Sequence, residues 1–165
     1  MVNEPYPELI FRPETLEDEA FLRHLILETL TEQLAVSSWP DAIRGPLLET
    51  QYQVRRQGFR SVPHAVGRIV VSAGQPIGWY VTADLDQEIR LVNIMVLASH
   101  RGRGVGASIV RALIADSDRS RKPVRLKVDV RNTGAFRLYE RLGFQRIGGD
   151  EVQHCMEHSP GGRDA

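Results

Sequence analysis

The chain has 165 residues, of which 42% are hydrophobic and 25% charged, values close to globular averages that predict one packed domain and not a disordered chain. Its 21 basic and 21 acidic residues cancel, which argues against bulk nucleic-acid binding while leaving room for a local basic patch at Arg101 and Arg103. No apolar run approaches the ~18 residues of a membrane span, Met1–Glu8 lacks a basic-then-apolar leader, and the single Cys155 excludes an internal disulfide or multi-cysteine zinc site and suits a reducing cytoplasm.

Residues 9–12 predict a short strand ending at Pro13, and Thr15 with Asp18 three residues on predicts a helix start. Leu22, Leu25, Ile26, Leu30 and Leu34 then recur at helical steps to about Ala35. A second, less regular helix is expected from Pro40 to about Gln57, stopped by Gly58. Strands follow at about 66–72 and 77–83 across an Ala-Gly-Gln-Pro turn, and an interior strand at about 88–97 is apolar on both faces from Leu91 onward.

After a glycine-rich turn, Val105, Ile109, Ala112 and Leu113 mark a third helix to about Ser117. Val124, Leu126, Val128 and Val130 alternate with charged residues, as in a strand covered on one side. Asn132 is placed to cap a fourth helix carrying Ala135, Leu138 and Leu142 and closed by Gly143. Residues 144–147 and 151–157 complete the sheet, with Gly148 and Gly149 turning between them. Residues 1–158 read as one α/β domain with a mixed sheet, and 159–165 as a disordered tail.

The chemistry concentrates in two blocks. In the first, the strand ending Ile94-Met95-Val96 empties into Arg101-Gly102-Arg103-Gly104-Val105-Gly106-Ala107 and a helix follows at once. Glycines let the backbone fold tightly around a ligand while free helix N–H groups face it, which makes an anion site suited to phosphate. Alone, the turn also satisfies the Gly-x-Gly-x-x-Ala of a dinucleotide-binding fold, with Asp129 as a ribose-binding acid. About sixty residues remain after it, too few for the two halves that fold requires. The second block, Asn132-Thr-Gly-Ala-Phe-Arg-Leu-Tyr139-Glu-Arg-Leu-Gly143-Phe144, begins about thirty residues later.

Together the blocks closely resemble the two signature segments of the GNAT superfamily of acyl-CoA-dependent N-acyltransferases, most strongly from about Ile89 to Phe144. The resemblance implies a single α/β (α+β) domain. Its sheet is mixed and mostly antiparallel, with about seven strands, about four flanking helices and a splayed central strand pair. It also implies acetyl-CoA as cosubstrate and transfer to an amine. By that resemblance Gly102, Arg103, Gly104, Val105, Gly106 and Ala107 hold the pyrophosphate, helped by Arg101, while Ile94, Met95 and Val96 pair with the pantetheine arm.

Asn132 matches the asparagine that bonds the same arm, and a plain helix cap is its competing role. Tyr139 matches the tyrosine facing the thioester sulfur: a phenol with a pKa near ~10 keeps its proton at neutral pH and can give it to a thiolate. Its competing role is packing with Phe136 and Phe144. Lys127 occupies the position where some members carry a glutamate base, and a cation cannot take the amine's proton. Glu88, Asp86, His100 and Asp150 are unranked substitutes.

No metal is expected. His154-Cys-Met-Glu157-His158 spells a zinc-protease motif, but its alternation fits a terminal strand better. The acceptor amine is expected between the first two helices and the C-terminal strands, where Trp39, Tyr52, His64 and Trp79 are candidate walls and equally candidates for core or surface. Antibiotic, polyamine, amino acid, peptide N-terminus and protein lysine all remain open. No nucleic-acid or membrane partner is expected, and the chain reads as monomer or homodimer. A non-catalytic acyl-CoA sensor is the rival reading.

Overall fold

The computed structural model describes residues 8–161. The leader reading of the first residues and the tail beyond Gly161 therefore fall largely outside the described residues. In chain order the elements are β1 (Leu9–Pro13), α1 (Glu19–Leu34), α2 (Asp41–Arg60), β2 (Ala65–Ser72), β3 (Gln75–Asp84), β4 (Ile89–Val96), α3 (Val105–Ser120), β5 (Val124–Asp129), α4 (Thr133–Arg141), β6 (Gln145–Gly149) and β7 (Gln153–His158). Short 3-10 turns at Leu16–Asp18 and Ala98–His100 precede α1 and α3.

The strands form one seven-stranded sheet of order β1-β2-β3-β4-β5-β7-β6. Every neighbouring pair is antiparallel except β4 with β5. Alternation along the strands feeds two cores. Leu22, Leu25, Ile26 and Leu30 of α1 and Tyr52 of α2 pack on Ile69, Trp79, Val81 and Met95 on one face. Val105, Ile109 and Leu113 of α3 and Tyr139 of α4 pack on Leu91, Val124, Leu126 and Val128 on the other. The helical period thus reads correctly in α1 and α3, and the strict alternation in β5 buries Val124, Leu126 and Val128 while exposing Arg125 and Lys127. Among the described residues no helix is long and apolar enough to cross a membrane.

Three local expectations are corrected. Gly58 does not stop α2, which continues to Arg60. A glycine in a helix costs about 1 kcal/mol, and the next residue offsets it, since Phe59 packs edge-on against Trp79 with ring centroids 5.2 Å apart. Leu34 is 40% exposed because the chain turns left-handed at Ala35 and sends Val36 inward in its place. Gly148 and Gly149 lie within β6. The reversal comes after them, where the Asp150 carboxylate accepts the N–H groups of Val152 and Gln153, each at 2.8 Å.

Candidate active site

β4 and β5 separate. They pair in parallel only where Ile89–Leu91 meets Val124–Leu126, after which β5 continues to Asp129 against β7 alone. On its other side β4 stays paired with β3, interrupted by one extra residue, because Thr82 faces Leu91 while Val81 faces Asn93. Such a bulge bends the strand and redirects side chains. Beyond it Leu97 donates to Ile77 O at 2.9 Å, so the antiparallel alternation turns the main-chain groups of Ile94 and Val96 toward the gap and those of Met95 toward β3. The Val96 carbonyl is already engaged, accepting from Arg101 Nε at 2.8 Å.

The glycine turn stands at the mouth of this gap. Gly102 (φ 72°) and Gly104 (φ 86°) take left-handed backbone conformations that a side chain would strain. Gly104 caps α3, and Ser108 N–H makes the first helical bond to its carbonyl at 3.0 Å. The amides of Val105, Gly106 and Ala107 are therefore left without intrahelical acceptors. Gly106 faces Leu138 of α4, where a Cβ would lie 3.5 Å away, in ordinary contact. Arg101 is turned back to α1, donating to Glu32 at 2.5 Å with Glu28 at 3.8 Å. Arg103 is exposed and lies off the cavity wall, whereas Arg141 of α4 lies on it.

α4 completes the wall. Asn132 does cap it, its Oδ1 accepting Ala135 N–H at 3.1 Å, and it also lines the cavity, so its amide NH2 remains a donor for a further partner. Tyr139 is 5% exposed and packs against Phe144 with centroids 5.7 Å apart, while Phe136 lies tilted against His154 instead, with centroids 5.0 Å apart. Burial pushes the Tyr139 phenol up to about 12, so it holds its proton at neutral pH. Ile94, Met95, Val96, Arg101, Gly102, Gly104, Val105, Gly106, Ala107, Asn132 and Tyr139 thus converge on one cavity of about 690 Å³.

The substitutes for a base scatter. Glu88 is pinned by Arg90 and Arg125, each at 2.8 Å, at the closed end of the strand pair. Burial opposes its charge, and the two guanidiniums outweigh that and hold its pKa below the usual value. The backbone N–H groups of Gln153 and Val152 hold Asp150 low. Asp86 lines none of the cavities described for these residues, and His100 lines the large one. Glu32 is the one carboxylate on that wall among the described residues. No sequence signal marks it, because on α1 it reads as an ordinary polar position.

Trp39, Tyr52, His64 and Trp79 line no described cavity. Trp79 is core, its indole N–H donating to Glu14 at 2.9 Å, Tyr52 donates to Glu19, and Trp39 and His64 face outward. An adjoining cavity of about 450 Å³ is lined instead by Arg55, Phe59, Asn93, Lys127 and Gln153, and shares Thr29, Gln33, Ile94 and Met95 with the larger one. His154–His158 lies in β7, not on a helix.

A model of the Acetyltransferase (GNAT) family matches residues 22–144. An uncharacterised N-acetyltransferase of Methanocaldococcus jannaschii is 32% identical over 80 residues, covering 44% of this chain and 35% of that protein. The chain thus spans about a third of the length of that curated relative. Among solved structures, the PaiA N-acetyltransferase of Thermoplasma acidophilum, in complex with coenzyme A, superposes with a TM-score of 0.70 at 15% identity over 92% of this chain and 99% of that one. An acetyltransferase of Thermus thermophilus gives 0.69 at 17% identity, covering 92% and 96%. The ribosomal-protein-S18-alanine N-acetyltransferase of Escherichia coli gives 0.67 at 16% identity, covering 92% and 94%. These likenesses carry the fold, and the family model, spanning most of the chain and both signature segments, establishes that the chain belongs to the GNAT family of acetyltransferases.

Proposed function

We propose that this chain is an N-acetyltransferase that moves the acetyl group of acetyl-CoA directly onto a primary amine. The observation that carries the reading is the coincidence of two features on one cavity. The turn at Gly102–Ala107 offers unbonded helix amides, and the edge of β4 turns main-chain groups toward a gap left by β5. The first suits a diphosphate and the second an extended amide-bearing arm added like a strand. The Thermoplasma neighbour's complex with coenzyme A supports the same assignment.

The thioester supplies an activated carbonyl and a thiolate leaving group. The remaining work falls to this chain. Val105, Gly106 and Ala107 N–H groups hold the diphosphate with the α3 dipole behind them, and Arg141 adds charge from α4. Ile94 and Asn132 orient the arm. Val96 N–H faces the carbonyl oxygen and stabilises charge developing there. As the amine nitrogen bonds to carbon and the carbon–sulfur bond breaks, Tyr139 gives its proton to sulfur, and the amine's proton passes to water or to Glu32. No covalent enzyme intermediate is needed, and Cys155 lies on β7 outside this cavity. The compartment proposed is the reducing cytoplasm, with a monomer or homodimer as the working form.

Calorimetry with coenzyme A and a thiol-release assay across a panel of amines test the reading. Coenzyme A is expected to bind and NAD not to, and acetyl-CoA is expected to be consumed only when an amine is present. Binding without release for every amine assigns the chain to acyl-CoA sensing instead, and failure of coenzyme A to bind removes the donor assignment.

A further inference from the structure

The cavity of about 450 Å³ beside the donor gap has a one-sided charge. Arg55 and Lys127 line it, and no carboxylate does among the described residues. Arg55 differs from the other arginines of α2. Arg56 is held by Glu14 at 3.1 Å and Glu19 at 2.8 Å, Arg60 lies 3.8 Å from Glu19, and Arg44 pairs with Asp41. Arg55 is half-buried, and its described partner is the neutral side-chain oxygen of Gln33 at 3.0 Å.

Removing a guanidinium from water without a counter-ion is unfavourable, and that burial pulls the Arg55 pKa below its ordinary value. Lys127 likewise makes no ion pair within 4 Å among the described residues. Asp150 acts on it only through space and is committed to the backbone of the β6–β7 turn. The β4 bulge brings Asn93 to the same cavity, where its Nδ2 is buried without an acceptor among the described residues. Two cations and one unused amide donor converge on a space of the size that holds small molecules.

We infer that this cavity recognises an anionic group on the acceptor, so that the amine acetylated belongs to a small molecule that also carries a carboxylate, an α- or ω-amino acid, and not to a polyamine. The planar fork of Arg55 matches a carboxylate in two-point contact, Lys127 adds a point charge, and Asn93 donates to a remaining oxygen. Because the wall is shared with the donor cavity, an amine anchored here by its carboxylate faces the gap where the thioester is proposed to lie. The inference rests on the acetyl-CoA reading for its donor, while the charge of the cavity stands apart from it.

The test uses the full chain with acetyl-CoA, following thiol release, and measures coenzyme A binding separately by calorimetry. Acceptors are offered as matched pairs: the L-amino acids, and the ω-amino acids of two to six carbons, each beside its primary carboxamide, with spermidine as the cationic control. A carboxylate acceptor is expected to exceed its carboxamide by about tenfold or more in kcat/KM. Arg55→Gln and Lys127→Gln are each expected to raise its KM at least fivefold and to narrow the acid-to-amide ratio, with kcat within about twofold and coenzyme A affinity unchanged.

Arg55→Lys is expected to restore part of the preference, which separates charge recognition from misfolding. Turnover of carboxamides or spermidine as fast as the acids overturns the inference. So does an unchanged acid-to-amide ratio in Arg55→Gln. Tight coenzyme A binding with no acid consumed overturns it while sparing the donor site, whereas absent coenzyme A binding condemns the donor reading itself.

Discussion

Tyr139 shows how a residue's two competing roles merge. Its ring is core, touching Phe144, and the burial that makes it core also pushes its phenol up to about 12. A proton held that firmly is not lost in the physiological range, so the donating form of the phenol is the one present when the carbon–sulfur bond breaks. Tyr139→Phe is expected to lower kcat by about 10²-fold or more, as for removal of a positioned acid, with the coenzyme A dissociation constant within about twofold by calorimetry. In the wild type, no loss of activity from phenol deprotonation is expected below about pH 10. A fall in rate tracking a group near neutrality belongs to the amine or its proton acceptor.

Glycine and asparagine do the corresponding work at the level of elements. Gly104 holds φ 86° where α3 begins, and a Cβ there meets open space. Gly104→Ala therefore costs backbone strain of about 1–2 kcal/mol without a clash. It is expected to appear as a lower melting temperature together with weaker coenzyme A binding, since the same strain misdirects the amides that follow. Asn132→Ala removes the bond to Ala135 N–H and is expected to cost about 1 kcal/mol of stability by chemical denaturation. These positions were legible in the sequence because each is local: a cap, a turn and a helix start fall within a few residues and leave a spacing that can be read.

The adjoining cavity was not legible, for the opposite reason. Arg55, Asn93, Lys127 and Gln153 come from α2, β4, β5 and β7, and only the completed sheet brings them together. Asn93 arrives through a bulge that no residue type announces. Trp39, Tyr52, His64 and Trp79 line none of these cavities, because Tyr52 and Trp79 are taken up by the core and Trp39 and His64 face outward, and residue type alone does not separate wall, core and surface.

At the scale of the whole molecule, polar links tie the first residues of the fold to its centre. Glu14 accepts from Trp79 and Arg56, and Asp18, 5% exposed, joins the start of α1 to Arg12 on β1 at 2.6 Å. Arg12 and the Thr15 N–H hold the Asp18 carboxyl at about 2, below its ordinary 3.8. A folded-state pKa that is depressed gives stability present above the unfolded value and lost as pH falls through the folded one. Asp18 is thus expected to contribute about 2 kcal/mol at neutral pH, fading between pH 4 and 2. Asp18→Asn is expected to lower stability by a similar amount at pH 7 and by little at pH 2, measured by urea denaturation at both.

The helices and strands themselves followed from periodicity, with helical stripes in α1 and α3, alternation in β5 and a largely apolar run in β4, while the number of strands and their mostly antiparallel order came through resemblance. The parting of β4 from β5 came the same way, since hydrogen bonds that a strand does not make leave no trace in its side chains.

The partition formed by Thr29, Gln33, Ile94 and Met95 is common to both cavities. A side chain of this wall that shifts to widen one cavity therefore narrows the other. With acetyl-CoA as the proposed donor, an acyl chain long enough to displace these residues should weaken capture of the amine in step, and the smallest acyl group should disturb it least.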